Sequence, residues 1–158
     1  MGDDTLEASL EGLRAEVQRL RDIEEIRQLR ARYFLCVDHQ EWERWGREVL
    51  TVDFHFESDA GVQDGRDLVV TEIGRALVGA QTVHHGHTPL IELTGPDTAT
   101  GVWAMNDYVN MPADGSGVVL RGYGWYHDEY VRTPQGWRLQ ACRMERHRVD
   151  VTGLPDPA

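Results

Sequence analysis

Three of the seven histidines fall within four consecutive positions, in the stretch Thr82-Val83-His84-His85-Gly86-His87. Imidazole is the side chain best suited to moving a proton near neutral pH. Two carboxylates stand in apolar surroundings. Asp38 directly follows Tyr33-Phe34-Leu35-Cys36-Val37. Strand alternation sets Asp107 beside Trp103, Met105 and Val109, an unusual place for a charge unless that face borders a polar site. The combination points to a proton-transfer site in which an acid orients a histidine. Asp38 is equally suited to ending one helix or capping the next. Tyr33 precedes it by five positions, about 140° out of register on a helix. The two converge only if the helix ends or bends between them; otherwise Tyr33 is a core residue.

Alternation puts His84 on one strand face and His85 and His87 on the other. A zinc reading would combine His85, His87 and Asp107. No HExxH motif or cysteine set accompanies them, so no metal is expected. Further along, Tyr123, Trp125 and His127 share a face, with Gly122 and Gly124 opposite. Those aromatics line a pocket or form a core stripe, and the glycines mark curvature or close packing. Trp103, Trp125, Tyr123 and His85 are therefore candidate substrate-binding residues. Arg143, Arg146 and Arg148 close the last strand pattern; Arg146 is the candidate for holding a substrate carboxylate or thioester oxygen, a surface ion pair being the alternative. All 16 basic residues are arginine, which excludes Schiff-base chemistry on lysine. Cys36 and Cys142 lack CxxC or zinc-type spacing and read as reduced thiols.

The elements that must position these groups begin with a long helix, or two joined ones, over residues 5 to 37. Leu6, Leu10, Leu13, Val17, Leu20, Ile23, Ile26, Leu29, Tyr33 and Val37 recur at spacings of three or four. From Leu6 to Leu20 the spacing is that of a short coiled-coil seam. Residues 51 to 57 alternate as a half-buried strand, and 66 to 77 carry a helical apolar stripe. From 81 onward the pattern is strand: 82 to 94, 98 to 111, 117 to 131 and 136 to 147. Pro89 makes the first an edge strand or breaks it. The short connections favour antiparallel neighbours. Helices followed by a run of strands define an α+β class. The chain divides into an N-terminal helical arm (1–20), one domain (21–149) and a flexible tail (150–158).

The formal net charge of −11 disfavours nucleic acid and anionic membrane surfaces as partners. No apolar run approaches the length of a membrane span, and the acidic start does not read as a signal peptide. A cytoplasmic location is the expectation.

Taken together, Ile23-Glu-Glu-Ile-Arg-Gln-Leu, the Arg32-Tyr33 to Asp38 stretch, Thr82-Val83-His84, Ile91-Glu-Leu, Asp97-Thr-Ala-Thr-Gly-Val-Trp, Gly136-Trp137-Arg-Leu and Arg146 occur in a telling order. Over roughly residues 20 to 148 the chain resembles the SnoaL-like branch of the nuclear-transport-factor-2-like (NTF2-like) superfamily. Within it the chain looks most like the bile-acid 7α-dehydratase and scytalone dehydratase group. The resemblance implies a cone-shaped α+β barrel, its strongly curved mixed or antiparallel sheet packed on N-terminal helices around a deep apolar pocket. It implies His84 as base, Asp38 as its partner, Tyr33 as oxyanion donor and Asp107 as second acid, with His85 the base if the motif slips by one residue. It further implies a cofactor-free dehydratase acting on an apolar cyclic or polyketide-like hydroxy compound, and a homotrimer, with a dimer as the alternative. An isomerase, a cyclase or a non-catalytic binding module on the same fold are the competing readings.

Overall fold

The computed structural model describes residues 2–111 and 117–153, with side chains from residue 6 onward. The sequence periodicity resolves into one unbroken helix, α1 (Gly2–Asp38), 37 residues and about 55 Å long. Its two halves behave differently. The stripe from Leu6 to Leu20 is exposed, whereas Ile26, Leu29, Tyr33, Cys36 and Val37 are buried against the sheet. The change comes at Asp22, whose carboxylate takes hydrogen bonds from Gln18 (2.9 Å) and the Trp137 indole (3.3 Å) and an ion pair from Arg132 (2.7 Å). Burial opposes that charge, but the three donors win and hold the Asp22 carboxyl below its ordinary pKa.

Two short helices follow, α2 (Trp42–Val49) and α3 (Arg66–Ala76), separated by β1 (Leu50–Ser58) and β2 (Gly61–Asp64). Then come β3 (Gln81–Gly86), β4 (Leu90–Leu93), β5 (Thr98–Met111), β6 (Val118–Thr133) and β7 (Gly136–Thr152). The strand expected over 82–94 is broken at Thr88-Pro89, since proline has no N–H to give to a ladder. Its two pieces pair in turn with the same edge of β5. β2, a four-residue strand, was not foreseen; it closes a hairpin on β1. β7 runs on to Thr152, pairing Asp150, Val151 and Thr152 with β6 inside the range read as tail.

The ladder order is β2-β1-β7-β6-β5-β3, with β4 alongside β5. This overturns the expected cone-shaped, strongly curved barrel. The sheet is open: among the described residues β2 pairs only with β1 and β3 only with β5, so the two ends have no ladder between them. It is also mixed, because β1 lies parallel to β7 while the other neighbours are antiparallel. The α+β class stands, with the helices on one face of the sheet. Among the described residues, no helix is long and apolar enough to cross a membrane.

One irregularity sets up the site. Trp137 and Leu139 of β7 are buried, and simple alternation would next bury Ala141, Arg143 and Glu145. The β6–β7 register slips between Glu129 and Tyr130, so that Tyr130 faces Leu139 and Glu129 faces Ala141, leaving Gln140 as the extra residue. Such a bulge inverts the parity of the residues that follow it, until a second slip between Tyr123 and Gly124, with His147 as the extra residue, restores it. Cys142 and Arg146 therefore turn toward the helices, while Arg143 and Arg148 stay exposed in ion pairs with Glu145 and Asp150.

Candidate functional site

Asp38 is the last residue of α1, where the chain must leave the helix. It does so through Gln40, a non-glycine residue with φ 56°. The Gln40 amide donates to the carbonyls of Leu77 (3.2 Å) and Ala80 (2.9 Å), tying the end of α1 to the segment that leads into β3. That clamp brings the first residues of β3 beside Asp38. Thr82 and His84, on the same strand face, both bind its carboxylate. The Thr82 hydroxyl donates to Oδ1 at 2.9 Å and the His84 backbone N–H to Oδ2 at 2.9 Å. His84 Nδ1 lies 2.6 Å from Oδ1. Partial burial pushes the Asp38 carboxyl up, but the bonds from His84 and Thr82 outweigh it and leave its pKa lowered. A charged Asp38 requires the proton on Nδ1, which fixes the tautomer and leaves the Nε2 lone pair of a neutral imidazole uncommitted. The His84 side chain is 12% exposed, so it is reachable without being loose.

Asp107 is directly opposite His84 in the β3–β5 register, and Gly122 is opposite Asp107 in the β5–β6 register. Three donors hold the Asp107 carboxylate. Arg146 Nη1 donates to Oδ1 at 2.9 Å and Nη2 to Oδ2 at 2.5 Å, and the Gly122 N–H donates to Oδ1 at 2.9 Å. This bidentate pair is the strong form of the arginine–carboxylate contact. Asp107 is accordingly held in an ion pair with Arg146.

The remaining sequence candidates make contacts of their own. Tyr33 is buried with its ring edge-on to Trp45 (5.2 Å between centroids) and Phe34 (5.7 Å), and beneath the Arg30 guanidinium at 4.3 Å. Burial raises the pKa of its phenol despite the nearby cation. Trp103 shares the helix-facing side, but its indole donates to the Tyr130 hydroxyl (3.0 Å), which in turn donates to buried Asp128 (2.5 Å). Tyr123, Trp125 and His85 do not face this region. On β6 the buried residues are Gly122, Gly124, Tyr126, Asp128 and Tyr130, so the odd positions form the outer face. There Trp125 packs on His147 (5.6 Å), while His85 and His87 both bind Asn106. That parity sets them on the face opposite His84. Two residues of the helix-facing side escaped notice. Arg30 is completely buried, packed against the Tyr126, Tyr33 and Phe34 rings at 4.0, 4.3 and 4.9 Å and ion-paired to Asp128 at 3.5 Å. Tyr126, also buried, has a phenol raised by desolvation and by the nearby Tyr33, and is further influenced by Arg30 and Asp107. The signal for Tyr126 was its even spacing from Gly122 and Gly124. In sequence Arg30 stands among Glu24, Glu25, Arg27 and Arg32, a run of charges that suits a solvated helix face. No group of three or more potential metal ligands occurs among the described residues.

The SnoaL-like domain family matches residues 18–143, and the chain belongs to it. Among solved structures, a protein of unknown function from Mycobacterium tuberculosis is 27% identical, with a TM-score of 0.72 over 83% of this chain and 75% of that one. An NTF2-like protein with a cystatin-like fold from Novosphingobium aromaticivorans is 25% identical, with a TM-score of 0.72 over 85% and 88%. A type 3 hexachlorocyclohexane dehydrochlorinase from Novosphingobium barchaimii has the same fold at 16% identity, with a TM-score of 0.75 over 87% and 94%. The match places the chain in the SnoaL-like domain family as a whole and not in one named subgroup of it.

Proposed function

We propose that this chain is a cofactor-independent lyase of the dehydratase type, with His84 as its base and an apolar cyclic or polyketide-like hydroxy compound as its substrate. The observation that carries the reading is the 2.6 Å contact between His84 Nδ1 and Asp38, which leaves Nε2 as the basic atom. Nε2 takes a proton from the carbon next to a carbonyl or at a vinylogous position. The C–H electron pair becomes the new C=C bond as the C–O bond breaks. The proton held on His84 returns to the departing hydroxide, which leaves as water. Asp38 stabilises the imidazolium while the proton resides there. Arg146, anchored by Asp107, supplies positive charge toward a developing oxyanion, and Tyr33 a phenolic donor. Eliminations of a related kind are named for the dehydrochlorinase that shares this fold.

A second reading is favoured by the locked state of Asp107. With that carboxylate occupied by Arg146 and Gly122, one imidazole must both remove and return a proton, which also describes a double-bond isomerase. A panel of cyclic β-hydroxy ketones and unsaturated ketones, followed by mass spectrometry in deuterated buffer, separates the two. A dehydratase yields product lighter by one water. An isomerase yields product of the same formula, with at most hydrogen replaced by deuterium from the buffer. If neither appears with the native protein, or if H84A performs equally well, the enzymatic reading fails and the fold serves as a ligand-binding module.

A further inference from the structure

We propose that the first twenty residues of α1 form a two-stranded parallel coiled coil with a second copy of this chain. The helix leaves the globular body at Asp22, and what precedes it carries an apolar stripe facing solvent. Leu6, Leu10, Leu13, Val17 and Leu20 are 59%, 46%, 61%, 39% and 54% exposed. Their 4-3-4-3 spacing sets Leu6, Leu13 and Leu20 at d and Leu10 and Val17 at a. An aliphatic a position paired with Leu at d suits two parallel strands. An exposed stripe of large aliphatics on a projecting helix marks an association surface.

The surface of the stripe has the shape such a partner needs. Leu10, Leu13, Arg14 and Val17, together with Gln18 and Arg21, line a groove of about 460 Å³. The first four stand at i, i+3, i+4 and i+7, the four-residue hole that receives a d-position knob in a parallel coiled coil. Leu13 of the second copy is that knob.

One charged contact distinguishes the orientations. Glu16 occupies a g position and Arg21 the following e position. In a parallel pair, g of one strand meets the next e of the other, so two Glu16–Arg21 contacts flank the seam. In an antiparallel pair e meets e and g meets g, so Glu16 does not meet Arg21 and the charged contacts fall instead to Glu7 with Arg14 or Arg21. Glu16 is half-exposed and bonded only within its own helix, to Arg19 at 3.0 Å, so it is available to turn toward the seam. Most of this arm precedes the matched family region, which begins at residue 18.

The test is the solution mass of the full chain by light scattering, measured across a dilution series. The expected result is twice the 18.0 kDa of one chain at high concentration, falling toward one on dilution. E16R alone and R21E alone should each shift the mass to that of a single chain, and the double swap E16R/R21E should restore the dimer. L6C, oxidised, should cross-link two chains, because only a parallel pair sets the two copies of that position side by side. A monomer at every concentration, a threefold mass, a dimer indifferent to L13E, or swaps that fail to compensate would each overturn the proposal. All these positions are exposed on the arm, and an unchanged circular dichroism melt of the domain confirms that the fold is intact.

Discussion

Arg146 grips Asp107 through a gap that exists because residue 122 has no side chain. A Cβ built on Gly122 would lie 1.5 Å from Arg146 Nη1 and 2.3 Å from Asp107 Oδ1. Three strands meet in this contact: β5 supplies the carboxylate, β6 the empty space and an N–H, and β7 the guanidinium. The bulge at Gln140 supplies the parity that turns Arg146 inward.

The two glycines of β6 should therefore respond differently to alanine. At Gly122 the obstructed atom is the tip of a flexible arginine, which can swing away. Gly122→Ala should break the Asp107 pair and reduce turnover as far as Arg146→Ala does, and the double variant should be no worse than either single one. Additive losses would show that Gly122 and Arg146 act separately. At Gly124 a Cβ would lie 1.9 Å from the Glu145 carbonyl oxygen, which is backbone. Gly124→Ala must displace the second β6–β7 irregularity and should cost about 1–3 kcal/mol, the range for overpacking. Urea denaturation of the two variants measures the contrast.

The dyad makes a sharper prediction. Asp38 accepts three hydrogen bonds, two of them from His84. An asparagine there can accept at its oxygen but presents an NH₂ elsewhere, and it carries no charge to stabilise an imidazolium. Asp38→Asn and His84→Ala should each lower turnover by about 10²–10⁴-fold, the usual worth of a positioned proton-transfer group. Thr82→Val, which removes one neutral bond to the same carboxylate, should cost far less. Single-turnover rates on the first identified substrate would order the three; a Thr82→Val loss as large as that of Asp38→Asn would shift the role from orientation to local folding.

Acid stability follows from the same carboxylate. The folded-state pKa of Asp38 is depressed, so its contribution is fully present above the unfolded value of about 3.9 and disappears as pH falls through the lower folded value. Asp22, lowered as well through Arg132, Gln18 and Trp137, acts in the same window. Stability measured by urea titration should fall steeply below about pH 4 in the native chain. Asp38→Asn should flatten that fall in part, with Asp22→Asn removing a further share. An unaltered acid limb in both variants would assign the transition to other groups.

What the sequence revealed of this arrangement follows physical lines. The helix over α1 and the strand β5 were readable because each is long and strictly periodic. The contact between Asp38 and His84 was approachable because both lie where regular elements end or begin, in stretches with a recognisable order. Arg146 was left among three arginines because its direction depends on one extra residue in β7, and a bulge has no periodicity of its own. β2 is too short to show alternation. Parallel pairing of β1 with β7 joins strands far apart in the chain, a relation that connection length does not report. Barrel closure was inferred from resemblance, and it is a property of edge pairing that local pattern does not encode. The arm was legible as a seam, but only the structure shows that none of its apolar residues is covered.

The parity of β6 leads to the final prediction. Tyr123 and Trp125 were grouped as a possible pocket wall because they alternate correctly with each other. Alternation fixes which residues share a face but not which face meets the helices. The structure decides this through Gly122 and Gly124: the side that carries no Cβ is the side that must accommodate Arg146 and the backbone of β7. Tyr123 and Trp125 consequently project outward, 40% and 36% exposed. His85 projects outward with them from β3, bonded to Asn106 at 3.3 Å. Substitutions at exposed positions away from caps and ion networks ordinarily change stability by no more than about 0.5 kcal/mol. Tyr123→Ala, Trp125→Ala and His85→Ala should therefore leave turnover within about twofold of the native protein, which is what 0.5 kcal/mol amounts to if it falls wholly on the reaction barrier. His84→Ala, one residue from His85 but on the opposite face, should abolish most of it. Parallel assays of the four variants provide the check. Equal losses at His84 and His85 would mean that the β3 register differs in solution, and with it the identity of the base.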